Sequence, residues 1–73
     1  MNLYSAKKNA RLQIISVPGI ELLEGLGLRS GTTIVVKSRY GLGGPVLLRV
    51  ADSFDVAIGK DIATQIAVKE ASN

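Results

Sequence analysis

Two apolar, β-branched runs on either side of a glycine-rich loop constrain this chain more than any other feature. They are Thr32-Thr33-Ile34-Val35-Val36-Lys37-Ser38-Arg39 and Pro45-Val46-Leu47-Leu48-Arg49-Val50, with Tyr40-Gly41-Leu42-Gly43-Gly44 between them. Runs of this kind read as strands, and a short connection containing glycine joins them as a hairpin. Symmetry about Leu42 sets Ile34 opposite Val50, Val36 opposite Leu48 and Ser38 opposite Val46. The even positions then share one mostly apolar face. The odd positions pair Val35 with Arg49 and Lys37 with Leu47, a mixed face suited to water. A slip of one residue would bury Arg49 and Lys37, so side-chain parity supports the register.

The remaining elements are shorter. Arg11-Leu12-Gln13-Ile14 alternates polar and apolar and continues through Ile15-Ser16-Val17, a half-buried strand with Leu12 and Ile14 inward. Pro18-Gly19 ends it. Ile20, Leu23 and Leu26 recur at helical spacing, with Glu21 and Glu24 where the helix dipole favours negative charge. Gly25 and Gly27 limit that helix to about two turns, so it has to cap something larger. Arg29-Ser30-Gly31 turns the chain into the hairpin. Beyond it, Asp52-Ser53 is a turn, Phe54–Ile58 a strand, Gly59–Ala63 one helical turn, and Thr64–Lys69 a last strand with Ile66 and Val68 inward. The sum is an all-β fold with one short helix: a small five-stranded SH3-like barrel over residues 11–70, plugged at one end by the helix. Closure of the barrel would hide its sheet edges. Met1–Ala10, with weak periodicity and two adjacent lysines, reads as an adaptable lead-in.

Composition narrows the chemistry. At 73 residues there is room for one small domain. The chain has no cysteine, histidine or tryptophan. It therefore lacks a thiolate nucleophile, an imidazole base, a disulfide staple and the usual transition-metal ligands. With 47% hydrophobic and 21% charged residues it is not a disordered tail. No apolar run approaches the ~18–20 residues that cross a bilayer, and the first residues lack the apolar stretch of a signal peptide. The expected location is cytosolic, without direct membrane insertion. A net charge of +3 permits contact with an anionic partner without demanding one.

Four groups of residues are candidates for function. Gly41-Leu42-Gly43-Gly44 resembles a phosphate cradle in composition, but it leads into Pro45 and a strand rather than into a helix N-terminus, so it reads as a hairpin loop. Asp52, Asp55, Asp61 and Glu70 are oxygen ligands without the loop spacing of a cation site, and no bound metal or cofactor is expected. Arg29, Lys37, Arg39 and Arg49, with Tyr40 nearby, suit single-stranded nucleic acid, but aromatic residues make up only 4% of the chain. The fourth group is apolar and left outside by the hairpin parity: Val35, Leu47, Leu42 at the loop tip, and Ile15. A cluster on one sheet face beside a glycine loop is typical of a protein contact. The expected binding surface is accordingly Val35, Arg39, Tyr40, Leu42, Gly43, Leu47 and Arg49, and catalytic residues are not expected. Its mixed outer face is also compatible with a weak homodimer.

One ordered set of motifs resembles a known family. Leu26-Gly27-Leu28-Arg29-Ser30-Gly31-Thr32 is followed by the basic strand, then Gly43-Gly44-Pro45-Val46, then Asp55-Val56-Ala57-Ile58-Gly59, then Ala63 and Ile66-Ala67-Val68. This series is similar to the FeoA family, small cytosolic proteins associated with bacterial ferrous iron uptake. The match runs from Leu12 to Val68. Met1–Ala10 departs from the family pattern, and Val56-Ala57-Ile58 stands where Ile-Ala-Leu is common. The resemblance implies an SH3-like barrel and an accessory, regulatory role in iron homeostasis beside FeoB, a membrane permease with a cytosolic GTPase domain. It places the chain in the cytoplasm, peripheral to the inner membrane through that partner, and does not imply that the chain holds iron. The alternatives are a nucleic-acid-binding small barrel, which is not favoured, and a free-standing metal-sensing module.

Overall fold

The computed structural model describes residues 1–71. Its strands are β1 (Arg11–Ser16), β2 (Thr33–Arg39), β3 (Val46–Val50), β4 (Phe54–Ile58) and β5 (Ala67–Glu70). A 3-10 turn at Leu3–Ser5 precedes them, α1 (Glu21–Gly25) follows β1, and α2 (Lys60–Ala63) follows β4. All pairings are antiparallel, in the order β4-β3-β2-β1-β5. Alternate residues of each strand turn inward, as period 2 requires. Leu12, Ile14, Ile34, Val36, Val46, Leu48, Val50, Ile58 and Val68 thereby meet in one core with Leu23, Leu28, Ala63 and Ile66. The five-stranded SH3-like architecture is as the sequence leads one to expect, but the barrel is not closed by hydrogen bonds, because β4 and β5 are the two ends of the sheet.

What covers the β5 end is the opening segment, which the sequence presents as an adaptable lead-in. Asn2 bridges Ala67, the Leu3 amide donates to the Ile66 carbonyl at 2.9 Å, and the Val68 amide donates to the Met1 carbonyl at 2.9 Å. Leu3 and Ala6 are fully buried. The Asn2 side chain accepts from the Ser5 amide at 3.0 Å and so caps the 3-10 turn. Further along, Asn9 and Ala10 bond to both backbone groups of Val36 and extend the β1–β2 ladder. Weak periodicity misleads here because only two side chains of the segment enter the core, while its main chain does the pairing.

The first helix is shorter than its spacing suggests. Ile20 is its N-cap rather than a helical residue, and only Leu23 is buried; Leu26 is half-buried, while Ile20 and Leu22 are exposed. A five-residue helix makes little more than one turn and can aim only one side chain at the core. Gly27 stops it at φ 81°, with the Gly27 amide donating to Glu24 and the Leu28 amide to Leu23. That is a Schellman ending, and its usual hydrophobic contact joins Leu23 to Leu28, both buried. At the other end of the chain, Thr64–Ile66 prolong the turn of α2 instead of starting β5, although Ile66 and Val68 face inward as read.

The hairpin register holds for Ile34–Val50, Val35–Arg49 and Val36–Leu48 and then shifts. Ser38 pairs with Leu47 and Arg39 with Val46, instead of Ser38 with Val46 and Lys37 with Leu47. Lys37 is the extra residue of a β-bulge, and every side chain after it changes face.

Candidate functional site

The bulge divides the surface that the sequence treats as one. Without it, Arg39 would join Val35 on the outer face; with it, Arg39 shares a face with the inward-pointing Val46 and emerges at the rim of the fold. There its guanidinium carbon lies 5.4 Å from the centre of the Tyr4 ring, and its Nη2 donates to the Tyr4 carbonyl. The Lys60 ammonium, at the start of α2, lies 5.5 Å from the same ring centre. Tyr4 and Lys60 belong to no local motif. Burial of Leu3 holds the one in place and the chain path after β4 brings in the other, so only the tertiary fold assembles them with Arg39.

The hairpin loop is held by two backbone bonds, from the Tyr40 amide to Pro45 and from the Gly44 amide to Gly41, both 3.2 Å. Leu42 and Gly43 take left-handed backbone angles, φ 59° and 82°. For an L-residue such as leucine this conformation costs about 1–2 kcal/mol. A side chain at Gly44 would place its Cβ 2.8 Å from Tyr40 Cβ and 3.0 Å from the Tyr40 carbonyl oxygen, so the turn is this tight only because Gly44 has none. Leu42 is fully exposed and Tyr40 half-exposed. The loop therefore presents a leucine to water on a backbone that disfavours it, an arrangement that folding alone gives no reason to retain.

Val35, Leu47 and Arg49 lie on the outer sheet face but are half-buried. One cross-strand row runs Arg11, Val35, Arg49, Asp55. Arg49 is not a free cation: its Nε and Nη2 donate to the two carboxylate oxygens of Asp55, the second at 3.3 Å. This hydrogen bond holds the Asp55 carboxyl below the usual carboxylate range and raises the Arg49 guanidinium above its own. Asp52 pairs with Arg11 at 3.7 Å. Asp61 stands on α2 and Glu70 on β5, and among the described residues no three potential metal-ligating side chains converge. Arg29 lies beside a groove formed with Val17, Pro18, Ile20, Glu21 and Glu24. Among the described residues no helix is long and apolar enough to cross a membrane.

Comparison with known proteins bears on the whole of this architecture. The model of the FeoA domain family matches residues 1–70. A crystal structure of an iron uptake regulatory protein, FeoA, is similar at a TM-score of 0.86 and 24% identity, covering 97% of this chain and 96% of that one. The solution structure of a FeoA protein from Chlorobium tepidum gives a TM-score of 0.87 at 24% identity, over 99% of this chain and 71% of the other. A crystal structure of ScaR with bound Zn2+ gives 0.83 at 25% identity, over 97% of this chain but only 37% of that one. Comparison with curated proteins yields no match.

Proposed function

This chain belongs to the FeoA family, and from that premise we propose that it serves ferrous iron uptake as a small cytosolic accessory protein. It acts by docking on FeoB and modulating transport or GTP turnover, without catalysing a reaction itself. The observation that carries this reading is Leu42: fully exposed, on a strained backbone, at the tip of a loop whose glycines let a partner's main chain approach closely. Tyr40, Leu42 and Gly43 form the centre of the contact. Leu47 lies beside them on the outer face, with Val35 and Arg49 further along the hairpin, while Arg39 supplies charge from the rim.

Transfer of a leucine side chain from water to an apolar groove contributes about 1.5–3 kcal/mol. Leu42→Asp forfeits that term and adds a carboxylate to be desolvated, so binding to full-length FeoB in detergent is expected to weaken by at least about 30-fold. Circular dichroism should stay unchanged, because the side chain packs on nothing. Undiminished capture of FeoB by the Leu42→Asp protein sinks the loop-docking reading.

A further inference from the structure

Two cations meet at the Tyr4 ring, and neither forms an ion pair among the described residues. The ion pairs among the described residues are Arg11 with Asp52 and Arg49 with Asp55, which leaves Arg39 and Lys60 uncompensated. Even Asp61, next to Lys60 on α2, forms no ion pair with either. Both cations are nonetheless placed by structure. Arg39 is turned toward the rim by the Lys37 bulge and fixed by its bond to the Tyr4 carbonyl. Lys60 begins α2, and its stem runs beside the hairpin loop: a Cβ on Gly43 would lie 4.0 Å from Lys60 Cδ. The negative face of the Tyr4 ring attracts both heads, one at 5.4 Å and the other at 5.5 Å from its centre. Lys7 and Lys8 are exposed on the segment that leaves Tyr4 and runs beside β2, where the Asn9 amide bonds to the Val36 carbonyl at 2.7 Å. Glu70 of β5 lines a groove with Ser5 and Lys7 on that same segment, so the charge excess here is that of Arg39 and Lys60.

The geometry points to Arg39, Tyr4 and Lys60 as a carboxylate-binding site that takes an acidic segment of a partner protein. Arg39 spends one N–H on the Tyr4 carbonyl, and its remaining N–H groups can grip a carboxylate. Lys60 adds a second positive head at the same ring. Leu42 and Tyr40, exposed on the adjoining loop, supply an apolar anchor beside the charged one, so the segment that fits carries an aliphatic side chain among its acidic residues. A nucleic-acid strand suits the site less well, because the Tyr4 ring already holds two cations where a base would stack. This inference rests on the docking reading above and adds to it the chemistry of the segment that is recognised.

The test is a titration of the isotope-labelled full chain with acetyl-Glu-Glu-Leu-Glu-Glu-amide at low salt, followed by NMR. Saturable shifts are expected at Tyr4, Arg39 Nε, Lys60 and Leu42, weakening as salt is added. The glutamine analogue of the peptide should leave them unmoved. The double variant Arg39→Gln with Lys60→Gln alters exposed side chains only and should keep its fold while losing at least about tenfold in affinity. Equal binding of the glutamine peptide, or full affinity in the double variant, overturns the site. So does inorganic phosphate alone matching the peptide's affinity, or oligo-deoxythymidine outcompeting the peptide at the same salt. FeoB capture run in parallel separates the two readings. Capture of FeoB by the wild-type chain, with no saturable shifts on adding the peptide, removes the acidic-segment site and leaves docking intact. Peptide binding by a chain that never captures FeoB removes the docking reading and leaves the site.

Discussion

Replacing Leu3 by alanine measures how far the opening segment belongs to the fold. The Leu3 side chain is 0% exposed and sits in the same core as Leu12, Leu23 and Ile66. Truncation removes its transfer free energy and leaves a cavity that the surroundings fill only in part, at a typical cost of 2–5 kcal/mol. We expect about 3 kcal/mol, because the site lies under a short main-chain cover that can partly collapse. A domain of this length is stable by roughly 4–11 kcal/mol at 0.05–0.15 kcal/mol per residue, so the loss is a large fraction of the whole. In a thermal melt it corresponds to a fall of roughly 12–24 °C. Urea titration followed by circular dichroism and by tyrosine fluorescence should give one shifted midpoint with an unchanged slope. Met1→Ala is the control: Met1 is 61% exposed and contributes its carbonyl rather than its side chain, so its cost should stay within about 0.5 kcal/mol. A Leu3→Ala cost below about 1 kcal/mol would mean that the segment is detached in solution, as its weak periodicity suggests, and that the β5 edge is uncovered. The NMR signal of Tyr4 should also move in Leu3→Ala, since the buried leucine anchors the turn that carries the ring.

Two further outcomes follow from local geometry. Gly44→Ala forces a Cβ against Tyr40 Cβ and the Tyr40 carbonyl, so it should destabilise the protein by about 1–3 kcal/mol and speed hydrogen exchange at the Tyr40 amide. Gly41→Ala, which meets nothing within 4 Å, should do neither. The Asp55 carboxyl titrates below its usual range in the folded state, so its pair with Arg49 contributes fully above the ordinary carboxylate range and is lost as pH falls through the folded value. Stability of the wild-type and Asp55→Asn proteins should therefore converge as the solution is made acid, and added salt should narrow their gap at neutral pH because the pair is exposed. A gap that widens on acidification refutes this assignment.

Much of the fold is legible in the residues because strand patterns act locally. The β-branched runs of β2 and β3, the inward Leu12 and Ile14, and Gly27 as a helix stop all appear in the structure where sequence rules place them. The loop was legible too, since glycines beside a proline admit few conformations. Lys37 gives no such sign: nothing in its side chain announces a bulge, which follows from how a hairpin packs its two ends against different neighbours. Ile20 misleads for a related reason, because helical spacing states which residues would share a face and not how long the helix will run.

By itself the sequence determined the strand order along the chain, the central hairpin, the absence of histidine and cysteine chemistry, and the family motifs from Leu26 to Val68. These depend on side-chain period and residue type, which act over a few neighbours. The tertiary structure alone decided that Met1–Leu3 covers the β5 edge, that Arg39 leaves the outer face, and that Tyr4, Arg39 and Lys60 come together. Each of those depends on a contact between segments distant in the chain, where one extra residue in a strand is enough to send a charged side chain to the other side of the sheet.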